Sequence, residues 1–204
     1  MNGDAAVFFD LQGTLGGEGL GDILDFSFFP SAIPAIKRVN DEGLLAILVT
    51  NQSHIFSGKF SLAQFQQRIE DLQQELALHN AHWDAVYCCP HGTSDNCDCR
   101  KPLPGMLYQA ARDFHLDLSA CYVVGDTGAW DMLLAQAAGC KGILVKTGLG
   151  EGSLRAFRHL WADMEADYIA EDVMDAVTWI IKNTASRSSP ACRGFRQSPQ
   201  PKPG

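Results

Sequence analysis

Short continuous apolar runs alternate with amphipathic stretches along the chain. Strand-sized runs occupy Ala5–Phe9, Leu44–Thr50, Trp83–Cys88, Cys121–Asp126 and Gly142–Lys146, with a shorter one at Asp167–Ile169. They are rich in Val, Ile and Phe and bounded by turn residues, the pattern of strands buried on both faces. Between them the period changes to that of helices. Ser31 opens a helical stretch to about Glu42, with Pro34 in its first turn and Gly43 closing it. Ser61 and Gln64 form a capping-box pattern, followed by Leu62, Phe65, Ile69, Leu72 and Leu76 at 3,4,3,4 spacing. Pro104 starts a helix through about His115, with Leu107, Ala110, Ala111 and Phe114 on one side. Met132–Ala138 is helical, with Gly139 as its stop, and helices are expected around Ser153–Met164 and Glu171–Lys182.

Strands alternating with helices predict an α/β fold: a Rossmann-like, doubly wound parallel sheet in a three-layer α/β/α arrangement. No insertion is long enough for a large cap domain. The glycine-rich stretch Gly16–Gly21 and the segment Asp22–Phe29 are expected as a flap beside the first strand. One domain is expected over residues 1–184. Residues 185–204 are rich in Ser, Pro, Arg and Gln, lack an apolar period, and are expected to be disordered.

Composition narrows the function classes. The 204 residues carry a net charge of −8, which argues against non-specific nucleic-acid binding. Arg187, Arg193, Arg196 and Lys202 of the tail contribute four positive charges, so the rest of the chain carries −12. Such a body needs a metal or local cations to bind an anion. No apolar run approaches the ~20 residues of a membrane span, and no secretory signal is evident. A cytoplasmic monomer is therefore expected, in a compartment that keeps its seven cysteines reduced.

Several strand runs end in polar residues: Asp10, Thr50-Asn51, the pair Arg100-Lys101 beyond the third run, and Asp126 with Asp131. In a parallel sheet these ends share one edge, where open α/β sheets bind ligands. Two carboxylates from different strands can share Mg²⁺. A hydroxyl and a lysine beside them suit a phosphoryl group, and an aspartate can attack it to form an aspartyl-phosphate.

This ordered set resembles the haloacid dehalogenase superfamily of phosphohydrolases from Ala5 to Lys182, through Asp10 in FFDLQGTL, Thr50 in AILVTNQS, Lys101 in CRKP, and Asp126 and Asp131 in VVGDTGAWDM. The resemblance implies that Asp10 attacks phosphorus and ligates Mg²⁺, and that Thr50 binds phosphoryl oxygens. It implies that Lys101 neutralises charge, that Asp126 ligates Mg²⁺, and that Asp131 supports the metal directly or through water. Asn51 and Arg100 join Thr50 and Lys101 as candidate substrate-binding residues. The expected substrate is a small phosphorylated metabolite, most simply a sugar phosphate or bisphosphate.

Cys89, His91, Cys97 and Cys99 form Cys-x-His and Cys-x-Cys halves, a full Cys₃His set for tetrahedral structural zinc. The loop over 88–101 resembles the zinc loop of heptose-bisphosphate and histidinol-phosphate phosphatases, and would fix Arg100 and Lys101. Cys88 should face away from Cys89, and Cys121 and Cys140 read as core thiols. The other five histidines read as surface or packing residues.

Two departures from the family pattern stand out. The position two residues after Asp10, where the family carries a second Asp as general acid and base, is Gln12. Its carbonyl can still bind Mg²⁺, but its amide cannot transfer a proton at neutral pH. The relatives' Gly and Arg after TNQS are His54 and Ser57. Gln12 leaves open a second reading, a catalytically weak protein that binds a phosphorylated ligand or a protein partner, and a third, an introduced substitution that traps substrate.

Overall fold

The computed structural model describes residues 5–188. Six strands form one all-parallel sheet: β1 (Ala6–Phe9), β2 (Leu45–Asn51), β3 (Ala85–Cys89), β4 (Tyr122–Gly125), β5 (Lys141–Val145) and β6 (Tyr168–Ala170), in the order β3-β2-β1-β4-β5-β6. The helices are α1 (Ala32–Asp41), α2 (Ser53–Phe56), α3 (Leu62–Ala77), α4 (Gly105–Phe114), α5 (Leu133–Ala138), α6 (Gly150–Leu154) and α7 (Val173–Ser188).

Alternation along β1 divides the core. Val7 and Phe9 pack with residues of α1, α3 and α7, whereas Ala6 and Phe8 pack with α4 and α5 on the other face. The three-layer arrangement expected from the pattern is thus present, with no large cap among the described residues. After β3 at one edge the chain crosses over to β4 beside β1, so the winding reverses between β1 and β4. Strand ends on either side of such a reversal border a crevice. Phe9 is in register with Leu48 of β2 and Val124 of β4, which brings Asp10, Thr50 and Asp126 to the same edge.

The Ser61–Gln64 capping box is formed in both directions. Leu62 does not belong to the stripe of α3: it is 48% exposed and Ile69 only half-buried, while Phe65, Leu72 and Leu76 are buried. Leu62 lies in the first turn, beside the cap and outside the contact with the sheet. The helix expected over 153–164 is broken into α6 and a 3₁₀ turn at Arg158–Trp161. The chain must turn there because the Trp161 indole folds back to donate to the Ser153 carbonyl at 3.0 Å. The helix expected from Met132 begins earlier, with a π-helical turn over Gly128–Met132. Gly128 makes room for Trp161, since a Cβ there would lie 2.1 Å from the indole.

Helix α7 continues to Ser188, four residues beyond the boundary drawn for the domain. Residues 189–204 of the expected tail lie outside the described residues. Among the described residues no helix is long and apolar enough to cross a membrane.

Candidate active site

Asp10, at the C-terminal end of β1, is in the crevice. The Lys101 ammonium, 3% exposed, sits 2.5 Å from Asp10 Oδ1 and 2.7 Å from Asp131 Oδ1. Asp10 Oδ2 also accepts from the Thr14 hydroxyl at 3.3 Å. Asp131 is drawn inward by the π-helical turn, because its Oδ2 accepts from both the Thr127 N–H and the Thr127 hydroxyl. Asp126, at the end of β4, accepts from the Leu149 N–H at 2.8 Å.

Glycines press the backbone against Asp126. A Cβ would fall 2.0 Å from its Oδ2 at Gly13 and 2.2 Å at Gly148, and both glycines have positive φ, +80° and +55°. The turn after β1 therefore needs glycine at 13 for conformation and for space. The Thr147 hydroxyl donates to the Gly13 carbonyl and ties this turn to the loop after β5.

Asp10, Asp126 and Asp131 are all buried, and an oxygen from each lies within 4.8 Å of the others. Burial pushes the Asp10 carboxyl up to about 6, with Asp131 adding to the rise and Lys101 opposing it. Burial, Asp10 and Asp131 also raise Asp126 well above the usual carboxylate range. The Lys101 ammonium is held more firmly than usual by the two carboxylates, despite its burial. Three acids against one buried lysine leave a negative excess that a divalent cation with oxygen ligands would satisfy. The donor set therefore fits Mg²⁺.

Sequence reasoning gave Thr50, Asn51 and Gln12 their place at this edge, but their partners come from the structure. Gln12 Oε1 accepts from Gln52 Nε2 at 3.1 Å and from Thr50 Oγ1 at 3.4 Å, and Gln52 Nε2 also donates to Thr50 Oγ1 at 2.8 Å. Asn51 is spent on the backbone of Lys101, accepting from its N–H and donating to its carbonyl. Gln52, Thr14 and Thr127 were missed as site residues. Thr14 and Thr127 carry a weak sequence signal, small hydroxyls adjoining the acidic motifs; Gln52, a buried amide directly after Thr50-Asn51, could have been found the same way.

A cavity of about 170 Å³ opens over these groups. Leu20 of the flap, Trp130, Arg100 and His54 complete its lining around Asp10, Gln12 and Lys101. His54 is thus at the candidate site, a correction to its expected surface or packing role. The flap is tied down by the Arg68 guanidinium, which donates to the Ile23 and Phe26 carbonyls, and by the Lys59–Asp22 ion pair at 3.2 Å.

Cys89, His91, Cys97 and Cys99 converge on one point with all ligand atoms within 4.8 Å of one another. Cys89 Sγ lies 3.6 Å from His91 Nδ1 and 3.8 Å from Cys97 Sγ, and His91 Nδ1 lies 3.2 Å from Cys99 Sγ. A tetrahedral site with metal–sulfur distances of ~2.3 Å has edges of ~3.8 Å. Disulfide sulfurs would be ~2.05 Å apart. The four groups therefore fit zinc, with no ligand position left for substrate. Cys88 packs on the opposite face from Cys89, and Cys121 and Cys140 pack around the second core, as expected. Arg100 donates to the His91 carbonyl at 3.1 Å, so the loop and the buried Lys101 are adjoining parts of one chain segment.

A doubly wound sheet carrying aspartates after β1 and β4, with a lysine between them, defines a phosphohydrolase of the haloacid dehalogenase type. The chain belongs to the haloacid dehalogenase-like family and is a phosphatase: the family model described as HAD-hydrolase-like matches residues 98–176, and relatives match over most of their length. One is the D-glycero-beta-D-manno-heptose-1,7-bisphosphate 7-phosphatase of Haemophilus ducreyi, 37% identical over 191 residues, which cover 87% of this chain and 99% of the relative. Another is the D-glycero-D-manno-heptose-1,7-bisphosphate 7-phosphatase of Thermosynechococcus vestitus, 38% identical over 196 residues, 89% of this chain and 98% of that one. The crystal structure of the D,D-heptose 1,7-bisphosphate phosphatase of B. bronchiseptica, complexed with magnesium and phosphate, superposes with a TM-score of 0.78 at 29% identity, covering 88% of this chain and 99% of that chain.

Proposed function

We propose that the chain is a Mg²⁺-dependent phosphomonoesterase of a small sugar bisphosphate that works through an aspartyl-phosphate on Asp10. The observation that carries this reading is the Lys101 ammonium held between Asp10 and Asp131, with Asp126 in the same buried cluster. The sugar bisphosphate is inferred from the relatives in Haemophilus ducreyi and Thermosynechococcus vestitus, which carry that substrate in their names.

Asp10, Asp126 and the Gln12 carbonyl would hold Mg²⁺, with Asp131 in support, and the ion when bound would neutralise phosphoryl oxygens. Asp10 attacks phosphorus. Lys101 offsets the negative charge of Asp10 and of the transferring group, a preorganised electrostatic role. Thr50, buried beside Gln12 near the end of β2, supplies a hydroxyl to the phosphoryl oxygens. Arg100 is the cavity's second cation and suits the second phosphate of a bisphosphate. Asn51 acts through Lys101, whose backbone it clamps. The Cys₃His cluster would hold structural zinc and so fix the segment that delivers Arg100 and Lys101.

A catalytically weak binding protein is the second reading, favoured by Gln12, whose amide oxygen accepts hydrogen bonds and cannot deliver a proton. A phosphate-release screen over sugar mono- and bisphosphates separates the two. Turnover that needs Mg²⁺ and stops with EDTA is expected, with a bisphosphate preferred. Binding of the same compounds without phosphate release would favour the weak binder.

A further inference from the structure

Phosphoryl transfer through Asp10 needs a proton for the departing ester oxygen, and then a base for the water that clears the intermediate. The titratable groups that line the cavity are few: Asp10, His54, Arg100, Lys101, Asp126 and Asp131. Asp10 is the nucleophile of the proposed function, Asp126 and Asp131 belong to the ion cluster, and Arg100 and Lys101 are cations. Gln12 is fixed by Gln52 and Thr50 and carries no transferable proton. His54 is what remains, and imidazole exchanges protons in the range where enzymes work.

The placement of His54 agrees with that use. It is the second residue of α2, two positions after Gln52, whose amide grips Gln12. Its ring stands edge-on to Phe60, with centroids 5.9 Å apart and planes at 84°. The far end of α2 is seated by Phe56 against Gly92 of the cysteine loop, so close that a Cβ on Gly92 would come within 2.7 Å of the ring. The charged groups around His54 are the Asp22–Lys59 pair, from the flap and from the loop before α3, and Arg100, Lys101 and Asp10 of the cavity.

We propose that His54 is the general acid and base of this phosphatase, in the place that Gln12 leaves without a proton carrier; the proposal rests on the aspartyl-phosphate reading above. In the first step an Asp10 oxygen bonds to phosphorus while the bond from phosphorus to the ester oxygen breaks. The ester oxygen keeps the electron pair and takes a ring proton from the His54 imidazolium, leaving as the alcohol. In the second step the neutral imidazole takes a proton from water as the water oxygen bonds to phosphorus. The bond from phosphorus to Asp10 breaks, and the carboxylate, inorganic phosphate and protonated His54 are restored.

The test compares the full chain with His54→Gln, His54→Asn, Asp10→Asn and His54→Gln combined with Gln12→Asp, all with Mg²⁺. The probes are fructose 1,6-bisphosphate and p-nitrophenyl phosphate, across pH, with melting curves to check the fold. Both His54 variants are expected to lose ~10²–10⁴-fold in kcat on the sugar bisphosphate with little change in KM. They should also lose one limb of the pH profile. On the aryl ester, whose leaving group needs little protonation, they should release one equivalent of nitrophenol quickly and then turn over slowly. Gln12→Asp should restore steady turnover in the His54→Gln background. A folded His54 variant with the full chain's kcat and pH profile, beside an inactive Asp10→Asn, would overturn the role of His54 alone. An active Asp10→Asn, or a full chain inert to both probes, would overturn the aspartyl-phosphate reading and this one with it.

Discussion

Two clusters of ligand-type side chains, drawn from different stretches of the chain, differ in almost every physical respect. The carboxylate cluster is fully buried, built from two separate segments, those that follow β1 and β4, and uses oxygen donors that carry more negative charge than Lys101 can offset. The thiol–imidazole cluster is built from one short loop, is only partly buried, and uses all four donors on one another. The first arrangement suits a hard cation that keeps open positions for substrate; the second suits a closed tetrahedral ion. The two meet at Cys99-Arg100-Lys101, where the loop's last ligand is followed directly by the cations of the cavity. On the proposed function, one cluster does the chemistry and the other holds part of it in place.

Breaking each cluster should therefore have different consequences. The largest effect is expected for Asp10→Asn, which removes the proposed nucleophile and should abolish turnover. Its fold should survive because the amide keeps the shape of the side chain, and the melting curve checks that.

Cys97→Ser strikes the other cluster. It should reduce bound zinc from about one per chain, measured by elemental analysis on reduced protein. Loss of a metal ligand should lower Tm by at least ~4 °C, from ~2 kcal/mol or more of lost stability. A displaced Lys101 should also cost ~10²-fold in turnover, the scale of a ~1 Å misplacement. A Cys97→Ser protein with intact Tm but impaired turnover would show that the loop serves catalysis without serving the fold.

The smallest effect sharpens the electrostatic difference. Burial raises Asp10 from 3.8 to about 6, so between those values the folded protein holds a proton that the unfolded chain has released. Without metal, stability should fall as pH rises through that window. Mg²⁺ competes with the proton, so its stabilising effect should be weak below about 6 and grow above it. At tenfold excess over Kd the gain above that window is expected to be ~3–6 °C in Tm. Thermal melts with and without Mg²⁺ at several pH values measure it.

The parts of this picture legible in sequence were those with a local signal. Several strand runs ended in polar residues, and the Cys-x-His and Cys-x-Cys halves announced their cluster by spacing alone. The strand order placed Asp10 and Asp126 together, as a parallel sheet requires. What sequence did not show depends on contacts across the chain. The helix expected over 153–164 breaks because Trp161 folds back on Ser153, a contact no period reveals. Asp131 reaches Lys101 through a π-helical turn wound on Thr127, where the pattern shows only a helix beginning at Met132. His54 has no motif of its own, and its place in the cavity follows from the turn of the chain after β2.

The central claim is that phosphate passes through Asp10. The direct measurement is a rapid quench of the protein with Mg²⁺ and a ³²P-labelled sugar bisphosphate, with the label counted on the protein, and in a parallel sample borohydride reduction, which turns a phosphorylated aspartate into homoserine that peptide mapping locates. The account predicts an acid-stable, hydroxylamine-sensitive label that forms within one turnover and maps to Asp10. Steady phosphate release with no label on the protein, or a label on any other residue, would contradict it.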